Sequence, residues 1–221
     1  MFSVAIDGPS GAGKSSVAKK IAENFKIMYL DTGALYRAIG YYFIRNNLDY
    51  KNGKMVEENL NKISLDIKFS DGKQIMFING EDVTSKIRTN EVSMAASAIS
   101  SVKATREFLI DTQREIAKKN SVVMDGRDIG TVILPKADVK IFLKASLEER
   151  TRRRFEELNK VNNNIKYEEV FNQMRERDFN DTNRKVAPLR PAEDAVIFDS
   201  TKLEFEQVVS ELTNIIKEKL K

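Results

Sequence analysis

Residues 2–25 constrain the fold of this chain more tightly than any other stretch. Phe2, Val4 and Ile6 alternate with smaller residues up to Asp7, the period of a short buried strand. Gly8-Pro9-Ser10-Gly11-Ala12-Gly13-Lys14-Ser15 follows at once, and Val17, Ala18, Ile21, Ala22 and Phe25 then recur at helical spacing. Strand, glycine-rich loop and helix make the context in which the pattern G-x-x-x-x-G-K-[ST] binds phosphate. Glycines let backbone N–H groups turn toward one point without Cβ clashes. The helix N-terminus adds unpaired donors and the positive end of a dipole. In such a loop the lysine, here Lys14, reaches the β- and γ-phosphates, and the hydroxyl of Ser15 faces Mg²⁺. The expected phosphate cradle is Gly8, Pro9, Ser10, Gly11, Ala12, Gly13, Lys14, Ser15 and Ser16.

Downstream, apolar residues over 26–30 lead into Asp31-Thr32-Gly33-Ala34-Leu35-Tyr36-Arg37, and Leu35, Ile39, Phe43 and Ile44 continue at helical spacing. Asp31-Thr32-Gly33 is therefore a strand-to-helix junction, with Arg37 in the first turn or so of the helix. Residues 46–61 are polar and read as loop plus a short helix. The period then switches. Ile63, Leu65, Ile67 and Phe69 alternate with polar residues, as do Ile75 and Phe77, and Asp71-Gly72 and Asn79-Gly80 mark turns before Val83. Such turns between alternating runs predict a small antiparallel sheet, an insertion outside any parallel core. Residues 93–98 are small and helical in composition. A stronger helix over 102–118 has Leu109, Thr112 and Ile116 on one face and Arg106 just upstream.

Ser121-Val122-Val123-Met124-Asp125 is a further buried strand ending in an acid, with Gly126-Arg127-Asp128 at its carboxyl end. Another strand over 138–143 runs into Ser146, and Ser146 with Glu149 reads as a capping box. The helix from Leu147 is crowded with Arg150, Arg152, Arg153 and Arg154, and a helix over about 167–180 buries Val170, Phe171 and Met174. After a last strand over 195–198, Thr201 and Glu204 are expected to cap a final helix with Phe205, Val208, Val209, Leu212, Ile215, Ile216 and Leu220 on one stripe. Five short buried strands separated by helices, with one all-β detour, predict an α/β fold. Its doubly wound parallel sheet takes ligands at the strands' carboxyl ends. The cradle, Asp31-Thr32 and Asp125–Asp128 all fall there.

Composition narrows the chemistry. The chain of 221 residues, 41% hydrophobic, can build one α/β domain with insertions or a small second lobe. It has no cysteine and no histidine, which excludes disulfides, thiolate and His-ligated zinc sites and Ser–His hydrolysis. Acid–base work falls to Asp, Glu, Lys or Tyr. The 37 basic and 33 acidic residues give +4 and are interspersed, without a basic tail, so nucleic acid is not an expected partner. Met1 leads straight into the first strand, and no apolar run approaches about 18 residues. The expectation is a soluble, cytoplasmic protein without a membrane partner. No heptad seam points beyond a monomer.

A phosphate cradle alone leaves GTPase, ATPase motor, ABC-type module and small-molecule kinase open. Asn61-Lys62-Ile63-Ser64 and Asn159-Lys160-Val161-Asn162 both lack the Asp of a guanine-reading Asn-Lys-x-Asp motif, and the chain is short for a motor. Arg177, Asp181 and Arg184 are spaced i, i+4, i+7 and share a face if the helix reaches that far. Guanidinium groups around a transferring phosphoryl favour a kinase.

Four blocks carry a more specific resemblance: Gly8–Ser15, Asp31–Arg37, Asp125-Gly126-Arg127-Asp128-Ile129-Gly130-Thr131, and Asn183-Arg184-Lys185-Val186-Ala187-Pro188-Leu189. In order and over essentially the whole chain, they resemble bacterial cytidylate kinase, a nucleoside monophosphate kinase. The insertion near 63–83 resembles that family's enlarged monophosphate-binding region. The resemblance implies a three-layer P-loop kinase fold, a five-stranded parallel sheet flanked by helices, with a small antiparallel β insertion and a helical lid. The implied division is core at about 1–60, 100–148 and 186–221, insertion at about 61–99 and lid at about 149–185. It implies transfer of the γ-phosphoryl of ATP to CMP or dCMP with Mg²⁺. The small-molecule partners are then ATP and CMP or dCMP. Ser97, Arg106 and Asp128 would read cytosine, whose exocyclic amine suits a carboxylate. Thr32 stands where many members carry Ser. Asp181 would bind the pentose hydroxyl, and Arg37, Arg127, Arg177 and Arg184 would hold the acceptor phosphate and the phosphoryl in flight. Lys14, Arg127, Arg177 and Arg184 are the implied catalytic set, and Ser15 with Asp125 the implied metal set. The alternatives are a kinase for UMP or another small acceptor, and a nucleic-acid-associated module with a P-loop.

Overall fold

The computed structural model describes residues 1–70, 72–160 and 165–221. The elements run β1 (Ser3–Asp7), α1 (Lys14–Phe25), β2 (Met28–Asp31), α2 (Thr32–Arg45), α3 (Gly53–Leu60), β3 (Leu65–Ser70), β4 (Lys73–Ile78), β5 (Glu81–Asp82), α4 (Asn90–Ile99), α5 (Lys103–Lys119), β6 (Val122–Gly126), β7 (Val139–Lys144), α6 (Leu147–Asn159), α7 (Tyr167–Asn183), β8 (Val196–Asp199) and α8 (Phe205–Lys219). A 3₁₀ turn covers Lys86–Arg88 and a π turn Ile129–Ile133. The residue Asp71 of one expected turn, and residues 161–164 of the expected lid, lie outside the described residues.

Five strands form a parallel sheet in the order β2-β6-β1-β7-β8. Val4 of β1 lies opposite Val139 and Asp7 opposite Phe142, and on β7 Ile141 lies opposite Val196. Val4, Ala5 and Ile6 of β1 and Val122, Val123 and Met124 of β6 are fully buried, as strands covered on both faces must be. β1 is central, and β6 and β7 flank it. Its carboxyl end is therefore the topological switch point where doubly wound sheets bind ligands. The glycine-rich loop leaves from there.

The described chain divides into two compact units, Met1–Ile27 with Val123–Lys221, and Met28–Val122. In the first, α1 packs on β1 and α8, and α6 on α7. Two caps differ from expectation. Glu204 itself caps α8, in a full capping box with Gln207. The Thr201 hydroxyl is engaged by Asp199 and accepts from the Ser146 N–H. The helix thus starts later than expected, and Phe205 is left 42% exposed instead of joining the buried stripe. Ser146 caps α6 through Glu149 N–H, but its own N–H goes to Thr201, and the Glu149 carboxylate pairs with Arg152 and Arg153. Only half of the expected capping box forms.

The second unit, which contains the expected insertion, holds the antiparallel sheet β3-β4-β5, with Leu65 opposite Ile78 and Ser70 opposite Lys73. Asn79 (φ +49°) and Gly80 (φ +82°) both adopt positive φ, as an Asn-Gly hairpin turn requires. Leu35, Ile39 and Phe43 of α2 pack with Val56, Met76, Val83, Ile99 and Leu109 in one core. α2 meets α4 closely at Gly40, where a Cβ would sit 3.1 Å from the Ala96 nitrogen. On α5 the buried face carries Thr105, Arg106, Leu109 and Gln113. Arg106 joins that buried face one turn before Leu109, and Gln113 replaces the expected Thr112, which is exposed.

Candidate active site

The phosphate cradle sits at the end of β1 with the backbone its glycines permit. Gly11 and Gly13 have φ of +74° and +86°. A Cβ on Gly8 would fall 2.0 Å from the Leu143 carbonyl oxygen, so only glycine fits there. Lys14 is buried and donates from Nζ to the Pro9 carbonyl at 2.7 Å. Burial, and then the guanidinium groups of Arg127 and Arg177, hold its pKa well below the ordinary lysine range. Three cations thus crowd one buried spot, an arrangement that bound phosphate would relieve. Ser15 Oγ donates to Asp125 Oδ2 at 2.8 Å. A hydroxyl and a carboxylate are oxygen donors of the kind Mg²⁺ takes along with phosphate and water.

α7 runs to Asn183, past the expected end at 180, and so carries Arg177 and Asp181, while Arg184 is its C-terminal cap in extended backbone. Asp181 Oδ2 accepts from Arg127 Nε at 2.7 Å. Burial alone would raise the Asp181 pKa; Arg127, Arg177 and Arg184 outweigh it and hold the carboxyl below its usual range. Arg184 Nη2 lies 3.5 Å from Asp128 Oδ1, both side chains buried. Arg184 is aimed by its Nε bond to the Ala187 carbonyl at 2.6 Å, and Ala187 adopts φ +49°. The first unit therefore gathers Lys14, Ser15, Asp125, Arg127, Asp128, Arg177, Asp181 and Arg184.

The second unit carries Thr32, Arg37, Ser97 and Arg106. Asp31 caps α2 by accepting from Ala34 N–H at 2.9 Å. Its Oδ2 also pairs with Arg37 at 2.8 Å and with Arg88 at 3.2 Å. Against burial, these two guanidinium groups keep the Asp31 carboxyl below its usual range. The Gln74 side chain of β4 accepts from Asp31 N–H at 2.8 Å and donates to its carbonyl at 3.2 Å. The Arg37 tip passes close over Gly33, with Nη1 2.9 Å from where a Cβ there would fall. Arg37 is thus a held group rather than a solvated helix charge. Arg106 is buried, stacks over Tyr36 at 5.6 Å and donates to the Ser100 carbonyl at 3.0 Å. The Ser100 hydroxyl in turn donates to the Ser97 carbonyl at 2.8 Å, which links the two expected base-reading positions of this unit.

Three residues escaped the sequence reading. Arg88 lies in a stretch without periodicity. Arg150 looked like its neighbours, yet it alone is buried: Nε donates to the Ala145 carbonyl and Nη1 to the Ser10 carbonyl, both at 2.9 Å, and Nη2 pairs with Asp178 at 2.7 Å. Arg152, Arg153 and Arg154 pair instead with Glu149, Glu156 and Glu157. Asp7 ends β1 as an acid, the one available signal, and proves to bond the segment after Asp128.

Comparison with known proteins places this geometry. Residues 4–218 match the sequence model of the family described as cytidylate kinase. The cytidylate kinase of Caldicellulosiruptor bescii is 46% identical over 214 residues, covering 97% of this chain and 95% of that protein. That of Carboxydothermus hydrogenoformans is 47% identical over 216 residues, covering 98% and 97%. Among solved structures, a shikimate kinase from Bacteroides thetaiotaomicron superposes with a TM-score of 0.50 at 14% identity, over 99% of this chain and 98% of that one, a likeness of fold.

Proposed function

We infer that this chain, which belongs to the cytidylate kinase family, transfers the γ-phosphoryl group of ATP to CMP and dCMP, giving ADP and CDP or dCDP. The observation that carries the reading is a nucleotide-phosphate cradle whose Lys14 is crowded by Arg127 and Arg177, in a chain that matches cytidylate kinases over nearly its full length.

The chemistry needs positioning and charge neutralisation more than proton transfer. The acceptor phosphate is already an anion, so the chain's lack of histidine is no handicap. Backbone N–H groups of the cradle and Lys14 hold the triphosphate. Arg127, Arg177 and Arg184 offset charge that develops on the phosphoryl in flight. Arg37, held by Asp31, grips the acceptor phosphate beside Thr32. Arg106 and the Ser97 hydroxyl donate to the cytosine acceptors, Asp128 accepts from its exocyclic amine, and Asp181 accepts from the pentose. Ser15 and Asp125 would hold Mg²⁺, which when bound neutralises phosphate charge. The stretch 149–185 acts as a lid that excludes water from the triphosphate. Among the described residues no helix is long and apolar enough to cross a membrane, and the working form is a cytoplasmic monomer.

A coupled assay for ADP release across a panel of nucleoside monophosphates tests the reading. CMP and dCMP should give the highest kcat/KM. Preference for AMP or UMP, or no acceptor-dependent ADP release, would overturn it.

A further inference from the structure

We propose that Asp7 is a positioning residue for recognition of the acceptor base, because its carboxylate holds the backbone turn that presents Asp128. The proposal rests on the reading of Asp128 as the acceptor of the cytosine amine. Asp7 Oδ1 accepts from Ile129 N–H and Oδ2 from Gly130 N–H, each at 2.8 Å, and the side chain is 4% exposed. These are the first two N–H groups after Asp128, whose own carbonyl accepts from Val132 and Ile133 N–H in the π turn. Both parallel donors are thus taken by one group, and their placement fixes where Asp128 leaves the backbone. The approach is close. A Cβ on Gly130 would lie 3.4 Å from Asp7 Oδ2 and 3.2 Å from Lys140 Cδ.

Only an ionised carboxylate offers two acceptors to two parallel N–H groups. A protonated acid or an amide turns one of them into a donor facing a donor. Asp128 and Lys14 are the charged groups that act on Asp7, with the Lys140 stem beside the turn. Burial pushes the Asp7 carboxyl up to about 6, so the charge stands against its own solvation preference. Asp7 is also the residue immediately before Gly8, so one side chain joins the start of the donor cradle to the reader of the acceptor base.

The test is steady-state kinetics of Asp7→Asn, with Asp128→Asn and the double variant alongside. Asp7→Asn should raise KM for CMP by about tenfold and KM for ATP by less than about threefold, and should lower the preference for CMP over UMP. The double variant should be no worse than Asp128→Asn alone, because Asp7 acts through Asp128. Additive losses, or KM values for ATP and CMP that rise together, would overturn the proposal while leaving the base assignment standing. An Asp128→Asn variant with unchanged CMP kinetics would instead remove the underlying reading, and the proposal with it. Should Asp7→Asn fail to fold, Asp7→Ser takes its place: it removes the second acceptor without setting a donor against the Ile129 and Gly130 N–H groups and should produce the same CMP-selective rise. An unchanged KM for CMP in that variant overturns the proposal.

Discussion

Buried charges at this site do opposite things to stability, and Asp7 and Asp181 show why. Asp181 is surrounded by guanidinium groups that hold it ionised. Asp7 has two backbone donors, but burial prevails and its pKa rises from 3.8 to about 6. The folded state therefore holds the Asp7 proton more tightly than the unfolded chain does. That contribution to stability is complete below about pH 4 and is lost as pH rises through about 6. From the size of the shift the loss is about 3 kcal/mol. In urea titrations, the unfolding free energy of Asp7→Asn relative to wild type should accordingly move in favour of the variant by about that amount between pH 4 and pH 7. A constant difference, or movement the other way, would contradict the assignment. Lys14 belongs to the same scale. On the proposed reading its buried ammonium offsets developing phosphoryl charge, so Lys14→Met should lower kcat by about 10²–10³-fold while thermal unfolding in buffer stays close to wild type. A variant that keeps a tenth or more of wild-type kcat would remove Lys14 from the catalytic set.

The elements hold the site through junctions rather than through their middles. The cradle between β1 and α1 is held from outside by α6, since Arg150 donates to the Ser10 carbonyl while Asp178 of α7 neutralises the same guanidinium. Met174 of α7 adds a steric wall, with its Cε 2.8 Å from where a Cβ on Gly11 would fall. Arg150→Met keeps most of the packing volume but strands the partly buried Asp178 and frees the Ser10 carbonyl. Breaking one side of such a pair costs about 3–5 kcal/mol. The variant should unfold at lower urea and show a raised KM for ATP, with KM for CMP nearly unchanged. Arg152→Met, whose partners are exposed carboxylates of its own helix, should change stability by less than about 1 kcal/mol. Equal behaviour of the two variants, judged by urea midpoints, would sink this account of α6. Gly8 is the strictest junction: its missing Cβ is what lets the loop pass the β7 carbonyl at Leu143.

Across the whole molecule, what could be read from sequence was what local rules fix. The β1–α1 cradle and the Asn79-Gly80 hairpin follow from periodicity and turn chemistry over a few neighbouring residues, and the parallel sense of the sheet from buried strands alternating with helices; the strand order does not. What could not be read depended on partners far along the chain. Thr201 and Glu204 are both capable caps, and a bond from Ser146, 55 residues away, settles which is used. Arg150 is indistinguishable from Arg152 until Ser10, 140 residues away, selects it. Asp7 gains its role only from a turn 122 residues downstream. The proposed site residues are distributed in the same way, with Lys14 in one compact unit and Arg106 in the other. Mass action gives a test at this scale. A ligand at a hundred times its Kd stabilises the fold it binds by about 2.7 kcal/mol. For a chain of this length that raises Tm by about 5–11 °C. A non-hydrolysable ATP analogue with Mg²⁺ and, separately, CMP should each produce such a shift in wild type. Lys14→Met should abolish most of the first and keep the second, and Arg106→Met should do the reverse. Loss of both shifts in either single variant would mean that donor and acceptor recognition are not carried by separate residue sets, and the assignment of Arg106 to the base would fall.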